Sequence, residues 1–173
     1  MPKLSPRLVL LGPRGSGKTT VARLLADRLA SPFVDLDELL VETAGRTIAE
    51  IFADEGEAGF RDRETAALLD AVSHDCVLAT GGGVICRPSN REVLRGLLCP
   101  RVFLVASPAV LHERIAGDAA TAANRPALTR FSGVDEVAHL LAERLPLYRE
   151  VATHELDAAL PPQELATKLA ELL

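Results

Sequence analysis

The chain is short of cysteine, of long apolar runs and of clustered positive charge, and each shortage excludes a class of protein. Cys76, Cys86 and Cys99 are odd in number and have no CxxC spacing, so neither a disulfide framework nor a zinc site is expected, and they read as reduced bystanders. Apolar stretches such as Val102 to Ala106 fall far short of the ~20 residues that span a bilayer. The opening "MPKLSPRLVLLG" lacks the apolar stretch and cleavage site of a signal peptide, which makes the cytoplasm the default address and a membrane partner unexpected. A formal net charge of −5 without any long basic run leaves a nucleic-acid partner no electrostatic footprint. Any anionic ligand must therefore be held locally. At 173 residues the chain is expected to form a single domain spanning 1–173, within the usual size of roughly 100–200 residues.

What is present is an alternation of strands and helices. Leu8 to Leu11 is a short apolar run followed by a glycine-rich turn, and Val21, Leu24, Leu25 and Leu29 then keep helical spacing. "FVDLD" (Phe33 to Asp37) reads as a second buried strand ending in carboxylates. Thr47 and Glu50 form a capping box at the head of a short helix that stops at Gly56, and a longer helix runs from about Glu57 to Ser73. "CVLAT" (Cys76 to Thr80) is a third strand, closed by Gly81, Gly82 and Gly83. Arg101 to Ala106 reads as a strand, Pro108 to Ile115 as a helix, Gly117 to Pro126 as an Ala-rich loop and Glu136 to Tyr148 as an amphipathic helix. His154 to Asp157 adds a last strand and Pro161 to Leu173 a last helix. The pattern predicts an α/β fold, a three-layer α/β/α sandwich around a central parallel sheet of about five strands.

The segment Gly12-Pro13-Arg14-Gly15-Ser16-Gly17-Lys18-Thr19 matches GxxxxGK[ST] between an apolar strand and a helix, where that pattern has a mechanism. Glycines let successive backbone N–H groups curl round an anion, and the helix N-terminus adds partial positive charge. Lys18 can reach the outer phosphates and Thr19 can ligate Mg²⁺; Thr20 extends the segment. The loop predicts a P-loop NTPase fold that binds a nucleoside triphosphate with Mg²⁺, and ATPases, GTPases, kinases and regulators share it. No NKxD-like guanine motif is present, which argues against a GTPase.

Ligands of open α/β sheets gather beyond the carboxyl ends of the strands, so Asp35 and Asp37 are expected to face the phosphates. Strand alternation puts both carboxylates on one face. Asp35 is then a candidate for the Mg²⁺ shell and Asp37 for holding an attacking hydroxyl and taking its proton, with helix capping at Asp37 as the bland alternative. Three successive glycines lose much backbone entropy on folding, and either a close approach to the backbone or a tight turn would explain them. Arg61, Arg125 and Arg149 complete the candidates, since arginine's planar fork grips carboxylates and stabilises phosphoryl charge. Periodicity alone does not select these three from the other arginines.

With these residues in view the chain resembles the shikimate kinase family of small P-loop kinases. "GPRGSGKTT", "FVDLDELLVETAGRTIAEIFADEGEAGFRDRE", "LATGGGVI", "NRPAL" and "ERLPLYREVA" follow one another in the family's order over nearly the whole chain. The resemblance implies transfer of the ATP γ-phosphoryl to the 3-hydroxyl of shikimate, by a monomer with a small lid at about 116–131. It implies Asp37 as the base that binds the shikimate hydroxyls, Asp35 near Mg²⁺, and Arg61 with Arg149 as the grip on the shikimate carboxylate. Gly81, Gly82 and Gly83 would line the acceptor pocket, Arg125 would be the lid arginine over the phosphates beside Lys18, and Arg114 would stack on adenine. The chain departs from the family pattern between Arg114 and Arg125, where "IAGDAATAAN" is longer and richer in alanine than a usual lid, and "PAL" replaces "PLL".

Two rival readings are open to discrimination. A gluconate-kinase-like enzyme would share the loop and lid, and the set of Arg61, the glycine triplet and Arg149 disfavours it. A non-catalytic ligand sensor of the same fold is disfavoured by the presence of Lys18, Asp35, Asp37 and Arg125 together.

Overall fold

Leu8–Leu11 (β1) is fully buried at all four positions, as a central strand covered on both faces must be. In the computed structural model, which describes residues 5–117 and 133–173, this strand lies at the centre of a five-stranded parallel sheet. The other strands are Phe33–Asp35 (β2), Val77–Ala79 (β3), Arg101–Val105 (β4) and His154–Asp157 (β5), in the spatial order β2-β3-β1-β4-β5. Leu8 is in register with Val77 on one side of β1, and Val9 with Arg101 on the other.

Seven described helices join them: Lys18–Leu29 (α1), Leu36–Ala44 (α2), Ile48–Ala71 (α3), Pro88–Arg95 (α4), Pro108–Gly117 (α5), Gly133–Val151 (α6) and Pro162–Ala170 (α7). A 3₁₀ turn at Val84–Cys86 follows the glycine triplet. Alternate residues of β1 face opposite layers. Val9 and Leu11 join Ile51, Leu68, Leu78, Phe103 and Tyr148 in one core. Leu8 and Leu10 join Val21, Leu25, Val102, Leu104, Leu165 and Leu169 in the other. Each fully buried Leu or Val contributes about 1.5–3 kcal/mol, so these two layers hold the sheet rigid beneath the loops at its carboxyl end. The expected three-layer P-loop architecture is therefore present. No helix among the described residues is long and apolar enough to cross a membrane.

Two local features differ from expectation. Strand β2 stops at Asp35, whose side chain accepts from the N–H groups of Asp37 (2.9 Å) and Glu38 (3.3 Å) and so caps α2. Asp35, not Asp37, is the N-cap, and Asp37 stands in the first helical turn, so strand alternation does not place the two carboxylates. Helix α4 is an element beyond those expected: Pro88 stands in its first turn, and Asn90 and Leu94, four residues apart on one face, are its buried residues. The expected break at Gly56 is present, with φ 69° and ψ −172°, so α3 is two helical segments joined at a kink. The Thr47–Glu50 capping box at the start of that helix is formed on both sides.

Candidate active site

The loop between β1 and α1 takes its shape from glycine. Gly12, Gly15 and Gly17 have φ of 149°, 81° and 88°, a region L side chains rarely adopt. A Cβ on Gly12 would also lie 2.8 Å from Ser16 Oγ. Gly17 caps α1 without any side-chain hydrogen bond, so the first-turn N–H groups point into the loop as anion donors. Lys18 is 8% exposed, with Nζ donating to the Pro13 carbonyl at 2.8 Å, and so lies along the loop with its charge held at the cradle. Thr19 Oγ1 donates to Asp35 Oδ2 at 2.6 Å. That bond ties the loop's hydroxyl to the carboxylate ending β2.

These residues line a cavity of about 420 Å³ that runs from Arg14 to Thr20 and includes Asp35, Asp37, Thr80 and Gly82. Arg114 closes its far side, donating to the Ala158 carbonyl at 2.8 Å and approaching the Gly15 carbonyl at 3.5 Å. Leu160, Pro162 and Leu165 add an apolar wall there.

The glycine triplet is explained by close approach. Its three residues have no left-handed φ, so turn geometry does not require glycine. A Cβ on Gly81 would meet Asp37 Oδ1 at 2.9 Å and Glu64 Oε1 at 3.0 Å. On Gly82 it would meet the Arg14 backbone nitrogen at 3.1 Å, and on Gly83 the Arg61 guanidinium at 2.4 Å. The strand β3 thus delivers three bare Cα atoms against an aspartate, the phosphate loop and an arginine.

A second cavity, of about 370 Å³, opens beside the first and is lined by Arg61, Glu64, Gly82, Gly83 and Arg144, with Ile48, Phe52 and Phe60 as an apolar floor. Arg14 and Gly82 line both cavities and so form their shared wall. Arg61 is 7% exposed and Glu64 1%, and they pair at 2.7 Å one helical turn apart on α3. Burial works to lower the Arg61 pKa, and the negative groups beside it, Glu64 foremost with Glu57, more than offset it, so the guanidinium stays charged.

Arg149 is not in this site. It sits on the outer surface, paired with Glu155 at 2.9 Å. Five helical residues turn the chain by about 140°, so Arg144, five positions earlier on α6, faces the cavity while Arg149 faces away. Arg144 Nη1 approaches the Gly82 carbonyl at 3.4 Å, and the buried Tyr148 on the same face donates to that carbonyl too. The signal that selects Arg144 was available: it stands four residues before Tyr148, in phase with Val137 and Leu141. Glu64 was also missed, for carboxylates within "GFRDRE" all look alike until burial separates them. Arg125 and most of the expected lid lie outside the described residues. Burial pushes the Cys76 thiol up to about 11, in keeping with an unreactive side chain.

Comparison with known proteins gives the arrangement a family. The shikimate kinase family model matches residues 14–173. A shikimate kinase of Rhodopirellula baltica is 49% identical over 154 residues, covering 88% of this chain and 81% of that one. Shikimate kinase 2 of Yersinia enterocolitica is 41% identical over 172 residues, 98% of this chain and 97% of its own. The structure of shikimate kinase from Acinetobacter baumannii in complex with shikimate superposes with a TM-score of 0.88 at 39% identity, over 98% of this chain and 92% of that one. With the family model matched over residues 14–173 and a relative 41% identical over 98% of this chain, the chain belongs to the shikimate kinase family.

Proposed function

We propose that this chain transfers the γ-phosphoryl group of ATP to the 3-hydroxyl of shikimate, releasing ADP and shikimate 3-phosphate. The observation that carries the reading is the shared wall. A phosphate-binding cavity and a cavity lined by Arg61 and Arg144 meet at Arg14 and Gly82, so a donor in one can reach an acceptor in the other. Proximity of this kind supplies much of the catalysis in phosphoryl transfer, which asks little covalent work of the protein.

In this mechanism the backbone from Gly12 to Thr19 cradles the phosphates, with Thr20 at its edge, and Arg114 packs against the adenine end. Arg61 and Arg144 hold the shikimate carboxylate; Arg144 takes the part that the resemblance gave to Arg149. The Gly81–Gly83 backbone carries the acceptor, Gly81 giving room for Asp37. Asp37 orients the reacting hydroxyl and accepts its proton, while Lys18, with Arg125, stabilises charge on the transferring group. The Thr19 hydroxyl and Asp35 carboxylate form a hard oxygen pair at the phosphate cavity, which suits Mg²⁺, an ion bound through one or two protein oxygens plus phosphates. Held there, Mg²⁺ would supply positive charge against the phosphates. Both cavities are built from one chain, so the monomer is the proposed working unit.

The test is ADP release from ATP·Mg²⁺ with shikimate, quinate, gluconate or no acceptor. Release that depends on shikimate supports the reading, and release with gluconate alone, or none with any acceptor, refutes it. Asp37→Asn should lower kcat on the order of 10²-fold or more while ATP binding is retained; unchanged turnover removes Asp37 from the chemistry.

A further inference from the structure

Tyr148 is wholly buried, its ring stacked on Phe103 with centroids 4.7 Å apart, yet its hydroxyl donates to the carbonyl of Gly82. Burial drives its pKa well above the usual phenol range despite the opposing charge of Arg144, so the group remains a hydrogen donor at any working pH. Arg144, four residues earlier on the same face of α6, reaches the same oxygen from the cavity side.

A trans peptide plane points its C=O and N–H in opposite directions, and no described peptide bond is cis. Drawing the Gly82 oxygen towards α6 therefore turns the Gly83 N–H the other way. Gly82 and Gly83 both line the arginine cavity, and among the described residues neither N–H donates to a protein acceptor. A run of glycines has no side chains to choose among its many backbone states. Its peptide planes must be set from outside. The carbonyls after the triplet are held from α4, Val84 by the buried Asn90 at 3.0 Å and Ile85 by Arg91 at 2.8 Å. Within the triplet, the Gly81 and Gly83 carbonyls accept from the Val84 and Cys86 N–H groups of the following turn, and the Gly82 carbonyl is held from α6.

We infer that Tyr148 is a positioning residue: its hydroxyl fixes the Gly82–Gly83 peptide so that the Gly83 N–H is presented as a hydrogen-bond donor to the acceptor. This rests on the reading that shikimate occupies the arginine cavity. It gives a role to a tyrosine that never touches substrate.

Tyr148→Phe keeps the stacked ring and removes one hydroxyl. The shikimate KM should rise about three- to tenfold, the worth of one well-placed hydrogen bond, with the ATP KM within about twofold. A purely structural tyrosine would lower the melting temperature without that split. In the ligand-free protein, the ¹⁵N–¹H resonance of Gly83 should also move in the variant. An unchanged shikimate KM together with an unmoved Gly83 resonance overturns the inference. Should the variant not fold, titration of the native protein with shikimate decides: the Gly83 amide must shift, and an unperturbed amide at saturation overturns the inference. A native protein inert towards shikimate would instead refute the proposed function, while the Gly83 resonance in Tyr148→Phe still judges the positioning.

Discussion

The Cα of Gly83 faces the Arg61 guanidinium so closely that a Cβ there would lie 2.4 Å from Arg61 Nη1, whereas one on Gly82 would lie 3.1 Å from the Arg14 backbone nitrogen. Gly83→Ala should push the Arg61 fork off its partner Glu64 and raise the shikimate KM about tenfold or more, with little effect on ATP. Gly82→Ala presses on backbone of the phosphate loop and should raise both KM values. Steady-state kinetics with each substrate varied in turn separates the two, and identical profiles would contradict this placement of the triplet.

Arg144 and Arg149 should behave as opposites. Arg144→Ala should raise the shikimate KM about tenfold to a hundredfold, the loss of one charged contact to a carboxylate. Arg149→Ala removes an exposed pair with Glu155 and should change stability by no more than roughly 0.5 kcal/mol, with KM unaltered. A raised KM in Arg149→Ala would restore the assignment that the resemblance suggested.

Asp35 has a structural and a proposed chemical duty, and one variant can expose both. Asp35→Ala loses the cap of α2 and should cost about 1 kcal/mol of stability. It also strips Thr19 of its partner and should raise the Mg²⁺ concentration needed for half-maximal turnover. Asp35→Asn retains capping ability, so chemical denaturation should show near-native stability while the Mg²⁺ defect persists. Recovery of both in Asp35→Asn would leave Asp35 as a cap alone.

Acid should weaken the fold through α3. The Glu55 carboxyl is held below its ordinary value of 4.5, first by hydrogen bonds from Arg63 and then by one from Arg46. Glu50 is likewise lowered, chiefly by the Thr47 backbone N–H. A depressed carboxylate stabilises fully above its unfolded pKa, and that contribution is lost as pH falls through the folded value. Melting temperature should therefore be flat above about pH 5 and fall below about pH 4.5. Glu55→Gln should shallow the acid limb, and a limb unchanged by the substitution would remove Glu55 from it.

The local code was legible where a residue type has one physical use. The buried β1 run, the positive-φ glycines of the phosphate loop, the Thr47–Glu50 box and the Gly56 break each act over a few residues, and the sequence alone determined them. So too the strand and helix alternation, whose only compact solution is a covered parallel sheet. The placing of arginines and carboxylates was decided by the tertiary structure. Arg144 and Arg149 differ only in helical phase, and which phase faces the cavity depends on how α6 packs beside Phe103. Glu64 differs from its acidic neighbours only because the glycine triplet arrives above it. Asp35 and Asp37 part company because β2 ends one residue into the pair and a helix begins. Charge chemistry needs an orientation and a depth, and those come from elements distant in the chain meeting in space.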